Sequence, residues 1–212
     1  MHLCPAWKNL LQLAIMQKLT GLVVCGGLSS RMGLDKSMVE WHSVAQRYFL
    51  YQMLEPLCDS VFISCNATQA SDIEPPYNYI IDDEKYRNIG PMAALLTACN
   101  KFPNNSFLVI GCDYPFVKNE DILQLINSRN EKDAAVSFFN GSTGFYEPMI
   151  AIYENKFKGL LFENFRQRQY SLQSILKGSS VCKVNPTAMK VIEGINTPEA
   201  YWIAMEEIKK MN

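Results

Sequence analysis

The sequence lacks an excess of charge of either sign. Its 20 Lys and Arg residues are matched by 21 Asp and Glu, which gives a formal net charge of −1. This balance argues against a nucleic-acid binder that relies on bulk electrostatic attraction, and against a polybasic protein of the membrane surface. Charged residues are scarce, at 19% of the chain, whereas hydrophobic residues make up 48%. The composition therefore predicts a folded chain with a substantial core rather than a disordered one.

The sequence also lacks the closely spaced cysteine pairs that are typical of zinc sites. Its seven cysteines are odd in number, and no two of them form a C-x-x-C motif. Cys25, Cys58, Cys65 and Cys112 lie in or beside apolar segments, where cysteine behaves as a small hydrophobe. The pattern favours reduced core thiols in a cytoplasmic protein over disulfides or a zinc site.

No apolar run in the sequence is long enough to predict a membrane span. The segment Leu10–Met16 is too short to cross a bilayer, and it lacks a small-x-small cleavage site of the kind that ends a signal peptide. Residues 1–17 are interpreted either as an N-terminal extension, a loosely attached helix, or as the result of a mis-assigned start with Met16 as the natural first residue. Residues 18–212 are expected to form one domain.

The remaining chain alternates between predicted strands and predicted helices. The strands are expected at Leu19–Val24, Ser60–Cys65, Tyr79–Ile81, Ser106–Ile110, Ala134–Phe139, Met149–Ile152, Val181–Val184 and Val191–Ile192. The helices are expected at Ala45–Leu57, from Gly90 to about Cys99, at Glu120–Asn127 with Asn119 as its cap, and at Lys156–Phe165, Ser171–Leu176 and Pro198–Met211. This alternation predicts an α/β fold, a Rossmann-like three-layer sandwich with a mostly parallel central sheet. Such sheets bind ligands at the carboxyl ends of their strands, so the loops after Val24, Cys65, Ile81 and Ile110 are expected to carry the chemistry.

A glycine-rich segment, Gly26–Lys36, follows the first of these strands. Glycines let backbone N–H groups approach phosphates closely, and the cations Arg31 and Lys36 would neutralise phosphate charge. A pair of glycines alone is more typical of an ordinary tight turn. The Arg-Met-Gly-x-Asp-Lys ending, Arg31 to Lys36, fits neither the dinucleotide fingerprint nor the P-loop.

This ending resembles the signature of the MobA-like nucleotidyltransferases, whose best-known members are the molybdenum cofactor guanylyltransferases. The resemblance extends from about Lys18 to Glu199 and includes the Cys112-Asp113-x-Pro115 and Asn196-Thr197-Pro198-Glu199 elements. It implies transfer of GMP from GTP to molybdopterin, the organic part of the molybdenum cofactor, with release of pyrophosphate. Apo-molybdoenzymes or other cofactor-biosynthesis proteins are the partners that it suggests, and neither nucleic acid nor membrane is expected.

Asp113 is the candidate ligand for Mg²⁺, the implied cofactor. A carboxylate at a strand end beside a phosphate loop suits this ion, which prefers hard oxygen ligands. Taken alone, Asp113 is equally typical of a turn before a proline. The resemblance favours the metal role and adds Asn196 as a second ligand. The family motif carries an asparagine two positions before Asn196, and this sequence has Gly194 there instead.

The resemblance also implies the remaining site residues. Arg31, Lys36 and Asp113 are the expected catalytic residues. Asp83 is the expected partner of the guanine base and Asn66 an expected nucleotide contact, although each is also typical of a turn or helix start. The complete nucleotide-binding set implied is Val24, Cys25, Gly26, Gly27, Lys36, Asn66, Asp83 and Asp113.

Two alternatives stay open at this point. The first keeps the chemistry and changes its specificity: a cytidylyltransferase, or a nucleotidyltransferase that acts on another phosphorylated acceptor. The second is a non-catalytic protein that binds nucleotide and delivers cofactor, an alternative that the Gly194 departure favours and that Arg31, Lys36 and Asp113 oppose.

Overall fold

The structure is a computed structural model that describes residues 18–26 and 35–211. Within these ranges the strands are β1 (Leu19–Val24), β2 (Ser60–Cys65), β3 (Tyr79–Ile81), β4 (Ser106–Gly111), β5 (Ala135–Asn140), β6 (Phe145–Tyr153) and β7 (Val181–Val184). The helices are α1 (Gln46–Leu54), α2 (Ala67–Ala70), α3 (Met92–Lys101), α4 (Asn119–Asn127), α5 (Phe157–Arg166), α6 (Leu172–Lys177) and α7 (Pro198–Met211). Short 3-10 turns occur at Lys36–Met38, Glu55–Leu57, Glu84–Tyr86 and Met189–Ile192.

The strands form one sheet in the order β3-β2-β1-β4-β6-β5-β7. β6 runs antiparallel to both of its neighbours, β4 and β5, and the other pairings are parallel. Strands β1 and β4 at the centre are buried along their whole length, as expected for strands that helices cover on both faces. The mostly parallel three-layer fold predicted from the alternation of elements is thus confirmed.

Two hydrophobic clusters hold the helices on the sheet, one on each face. α1 and α4 pack on one face through side chains such as Leu50 and Ile122. α3, α5 and α6 pack on the other face, with Leu95 and Leu161 fully or almost fully buried. Burying a side chain of this size stabilises the fold by about 1.5–3 kcal/mol. No helix in the described residues has the length and apolar character that crossing a bilayer requires.

A third, smaller cluster attaches α7 and the segment that precedes it. Ile195 packs there with Trp41, Phe116, Ala204 and Ile208. The backbone N–H of Ile195 donates to the carbonyl of Asp113 at 2.8 Å. These contacts join a C-terminal segment to the end of β4, although the two are far apart in the sequence.

Two local predictions are wrong. The expected strand Val191–Ile192 is part of the 3-10 turn Met189–Ile192, whose two β-branched residues are buried against the core rather than paired in the sheet. Asn119 is the first residue of α4 and not its cap, a position that Lys118 occupies. Asp121 explains the earlier start, because its carboxylate accepts the backbone N–H of Lys118 at 3.0 Å.

The cysteines of the described residues lie mostly in the core. Six of them are free, and Cys25, Cys65, Cys99 and Cys112 are buried. In these positions they pack as small apolar side chains.

Candidate active site

The order of the strands reverses direction between β1 and β4. β2 and β3 follow on one side of β1, whereas β4 begins the other half of the sheet. A crevice opens at the carboxyl ends of the strands at such a switch point, and ligands bind there in α/β sheets. The glycine-rich segment leaves β1 and the Asp113 turn leaves β4 at this point. The topology therefore brings together two loops that the sequence singles out.

The start of the glycine-rich segment is described as far as Gly26. Val24 and Cys25 are buried at the end of β1, and the N–H of Cys25 donates to the carbonyl of Ser64 at 3.0 Å. Because the sheet uses that N–H, it is not available to a phosphate. Gly26 has a φ of +75°, a left-handed conformation that favours glycine. The predicted residues Gly27 and Arg31 lie outside the described residues.

Lys36 is held at the crevice by the residue that precedes it. Asp35 caps the 3-10 turn Lys36–Met38, accepting the backbone N–H of Ser37 at 2.9 Å and its hydroxyl at 2.7 Å. The other carboxylate oxygen of Asp35 accepts a hydrogen bond from Gln69 Nε2 at 2.8 Å. Sequence analysis missed Gln69, a residue of α2, because nothing local to it indicates a partner 34 positions away.

Lys36 bridges the crevice to the C-terminal segment. Its Nζ donates to Asn196 Oδ1 at 2.6 Å, a contact between residues 160 positions apart. Burial lowers the pKa of Lys36, and the nearby Asp113 carboxylate opposes this shift. Burial raises the pKa of Asp113, and Lys36 opposes that shift in turn. The structure thus brings the predicted residues Lys36, Asp113 and Asn196 together as one cluster.

The residues around Asp113 fit a small divalent cation. Asp113 supplies a carboxylate, whereas the amide oxygen of Asn196 accepts the hydrogen bond from Lys36 Nζ. Mg²⁺ in proteins typically takes one or two carboxylates plus phosphate oxygens and water. Gly194 leaves space between the two side chains, since a Cβ at this position would lie 3.3 Å from Asp113 Oδ2 and 3.1 Å from Asn196 Nδ2. In the described residues no three His, Cys, Asp or Glu side chains form a metal-binding group.

The predicted nucleotide contacts Asn66 and Asp83 follow β2 and β3, at the same edge of the sheet. Asn66 caps α2, and its Oδ1 accepts the backbone N–H of Gln69 at 2.9 Å. Asp83 caps the 3-10 turn Glu84–Tyr86 and forms an exposed ion pair with Lys85 at 2.6 Å. This pair lowers the pKa of Asp83. Both side chains therefore have structural partners, and both residues are half-buried at the carboxyl edge of the sheet.

Asp82, the neighbour of Asp83, is already engaged within the fold. Its carboxylate accepts the Ser64 hydroxyl at 2.5 Å, and burial raises its pKa. Of the two adjacent carboxylates, Asp82 is the more deeply buried, whereas the Asp83 side chain is 39% exposed. Near the crevice, His42 stacks on Phe49, and its ring contacts the carbonyl oxygen of Pro115 at 2.9 Å.

A second carboxylate, Glu147, lies near Asp113. The Tyr114 hydroxyl donates to Glu147 Oε1 at 2.5 Å. Burial, with a contribution from Asp113, raises the pKa of Glu147 to about 7. Sequence analysis began the predicted strand only at Met149 and gave Glu147 no role. A glutamate directly before a proline, within a strand, was the local sign of an irregular position.

The chain is similar to proteins of one family along most of its length. It matches the sequence model of the MobA-like NTP transferase domain over residues 21–182. It is 26% identical over 203 residues to a probable molybdenum cofactor guanylyltransferase of Bacillus mycoides, covering 91% of this chain and 98% of that protein. It is 28% identical over 187 residues to the molybdenum cofactor biosynthesis bifunctional protein of a Synechocystis species. That match covers 86% of this chain and only 52% of the longer relative.

The fold is also shared with solved structures. Molybdopterin-guanine dinucleotide biosynthesis protein A from Archaeoglobus fulgidus superposes with a TM-score of 0.73 at 21% identity, over 91% of this chain and 100% of that one. A nucleotidyl transferase from Methanothermobacter thermautotrophicus superposes with a TM-score of 0.70 at 15% identity, over 92% and 99% of the two chains. At these identities the likeness shows the fold alone. The domain match, the shared nucleotidyltransferase fold and the cluster at the switch point lead to one conclusion: this chain belongs to the MobA-like NTP transferase family.

Proposed function

We propose that this protein transfers GMP from GTP to the terminal phosphate of molybdopterin and releases pyrophosphate. The observation that carries the proposal is the Lys36–Asn196–Asp113 cluster, which lies at the switch point of a nucleotidyltransferase sheet. The matches to the two relatives described above cover 86% and 91% of this chain. The names of these relatives support guanylyl transfer in molybdenum cofactor synthesis as the specific reaction.

The reaction requires no covalent intermediate with the protein. An oxygen of the acceptor phosphate attacks the α-phosphorus of GTP, forming a new P–O bond. The bond from the α-phosphorus to the bridging oxygen breaks, and its electron pair leaves with pyrophosphate. In such transfers the protein acts by positioning the reactants in line and by stabilising charge.

The residues of the cluster divide these tasks. Lys36 places a cation beside the phosphates, and Asp35 and Gln69 hold it there. Asp113 and Asn196 would hold Mg²⁺, which when bound supplies positive charge to the phosphate oxygens. Arg31 is proposed as a second cation, and the backbone around Gly26 and Gly27 as a phosphate cradle.

Guanine recognition is assigned to Asp83, with Asn66 as a further nucleotide contact. Guanine presents adjacent N1–H and N2–H donors that a carboxylate accepts well. Asp83 must release Lys85 to do so, which costs little because water screens an ion pair between exposed side chains. Apo-molybdoenzymes, as recipients of the product, are the proposed protein partners in the cytoplasm.

A pyrophosphate-release assay tests the proposal. The purified protein is incubated with molybdopterin, Mg²⁺ and, separately, GTP, CTP, ATP or UTP. Of the four nucleotides, we expect only GTP to give pyrophosphate release that depends on the acceptor. The Asp113→Ala variant should lose this release and keep the wild-type melting temperature. Release with CTP instead of GTP would reassign the base specificity and remove Asp83 from guanine recognition. Binding of a nucleotide without release would identify a delivery protein.

A further inference from the structure

Strand β6 contains a large irregularity beside the Asp113 turn. Tyr146 pairs with Phe139 of β5 and Ala151 pairs with Ser137, so Phe138 alone on β5 is opposed by residues 147–150 of β6. Bulges of this kind re-aim side chains and are over-represented next to active sites. Proline is tolerated at a bulge because a bulged residue has no ladder bond to lose, which accounts for Pro148.

The bulge is held in one conformation by hydrogen bonds from buried neighbours. The hydroxyl of Ser137 donates to the carbonyl of Glu147 at 3.1 Å. The hydroxyl of Tyr153 donates to the carbonyl of Pro148 at 2.8 Å. With its backbone fixed on both sides, the Glu147 side chain points to Tyr114.

Tyr114 in turn has little freedom to move. It is buried, and its carbonyl accepts a hydrogen bond from Gln46 Nε2 at 3.3 Å. Its ring lies 3.3 Å from the position where a Cβ on Gly111 would be and 3.6 Å from the one on Gly194. The glycines on both sides leave room for the ring and for the Asp113 carboxylate. The bond to Glu147 therefore fixes the residue directly after the metal ligand.

We propose that Glu147 is a positioning residue for Asp113, acting through the hydroxyl of Tyr114. The bulge of β6 presents the Glu147 carboxyl, the carboxyl holds Tyr114, and Tyr114 sets the orientation of the turn that carries Asp113. This proposal rests on the proposed function, because it takes Asp113 to be the metal ligand. It goes beyond that function by assigning a role to a strand with no expected catalytic residue.

This positioning role requires a hydrogen-bond acceptor at residue 147 and a hydrogen-bond donor at residue 114. Glu147→Gln keeps an oxygen that accepts from Tyr114, whereas Glu147→Ala removes it. Tyr114→Phe removes the donor and keeps the ring that fills the space between the two glycines. Tyr51→Phe is the matched control, since it removes a buried tyrosine hydroxyl that accepts from Asn78 at 3.1 Å, away from the site.

The experiment measures Mn²⁺ binding by electron paramagnetic resonance in the presence of an α,β-methylene analogue of GTP, which cannot turn over. Loss of a partner that orients a metal ligand typically weakens metal affinity by about 10–100-fold. We expect a loss in this range for Glu147→Ala and for Tyr114→Phe, and wild-type affinity for Glu147→Gln and Tyr51→Phe. The double variant Glu147→Ala/Tyr114→Phe should have an Mn²⁺ affinity no lower than that of the single variant with the lower affinity. The reason is that each change breaks the same hydrogen bond.

Each contrary outcome has its own meaning. If Asp113→Ala binds Mn²⁺ as the wild type does, the metal site and the proposed function both fail. If Asp113→Ala loses Mn²⁺ while Tyr114→Phe and Glu147→Ala retain it, the role of Glu147 is overturned and the proposed function stands. If Glu147→Gln loses as much affinity as Glu147→Ala, the negative charge of Glu147 matters instead of its hydrogen bond, and the positioning role is overturned.

Discussion

Lys36 shows how single residues of this site depend on neighbours that lie far away in the sequence. Asp35 caps its turn, Gln69 holds Asp35, and Asn196 accepts a hydrogen bond from its Nζ. Its ammonium group is partly buried, and burial lowers its pKa. A cation held in this way needs little reorganisation when charge develops on the phosphates, and this preorganisation is the main source of electrostatic catalysis.

Removing this cation should therefore cost activity and not stability. For Lys36→Ala we expect kcat of pyrophosphate release to fall by roughly 10²–10³-fold, as for other preorganised electrostatic contacts. The melting temperature should stay at the wild-type value because the side chain belongs to no hydrophobic cluster. Lys101→Ala, an exposed lysine at the end of α3, is the control and should keep full activity. Wild-type turnover in Lys36→Ala would exclude Lys36 from the reaction.

At the scale of elements, β6 runs from the site, at the carboxyl ends of the parallel strands, to the end of the sheet where those strands begin. Its first half carries the bulge at Glu147, and its last residues pair with the start of β4. Just beyond β6, Glu154 is buried in a bidentate ion pair with Arg129, at 2.8 and 2.9 Å. The hydroxyl of Ser106, at the start of β4, donates to the same carboxylate at 2.6 Å. This arrangement anchors β6 to β4 and to the segment after α4.

Breaking this anchor should destabilise the whole domain. Glu154→Gln keeps the shape of the side chain and removes the charge that compensates Arg129, and loss of one partner of a buried pair typically costs about 3–5 kcal/mol. We expect a loss of this size in the free energy of unfolding, measured by equilibrium urea denaturation. Glu163→Ala, an exposed glutamate of α5, should change that free energy by less than about 0.5 kcal/mol. Equal stability of Glu154→Gln and wild type would show that the ion pair does not anchor β6.

For the molecule as a whole, buried and half-buried thiols make the free energy of unfolding depend on pH in the alkaline range. Burial raises the pKa of Cys58, Cys65 and Cys99 from 9.0 to about 12. The folded state thus keeps these thiols protonated at a pH where the unfolded chain releases the protons. A group with a raised folded-state pKa contributes stability that is complete below the unfolded pKa and is lost as pH rises towards the folded pKa.

The free energy of unfolding should therefore fall as pH increases from about 9 to about 12, by up to about 1.4 kcal/mol per pH unit for each such thiol. Urea denaturation at a series of pH values measures this slope. Cys99→Ala removes one of the three thiols, so its stability should decline less steeply than that of the wild type above pH 9. Parallel curves for the two proteins would show that the Cys99 thiol ionises equally in the folded and unfolded states.

The sequence by itself determined the order of the elements and the loops that carry the chemistry. Apolar strands such as β4 and capped helices such as α6, which begins after Ser171, follow from local patterns because backbone hydrogen bonding and burial depend on residues close in sequence. Those patterns, together with the motif that ends at Lys36, were sufficient to predict the sheet, the switch-point loops and the family.

Only the tertiary structure decided which side chains meet. The contact of Lys36 with Asn196, the support from Gln69 and the bond between Tyr114 and Glu147 depend on strand order, register and a bulge. These features arise from packing between distant segments, and no local pattern encodes them. The same holds for Val191 and Ile192, whose composition is typical of a strand but which are buried in a 3-10 turn because the core accommodates them there. Local preferences determine what each segment can form, and the global packing determines which of its side chains reach the site.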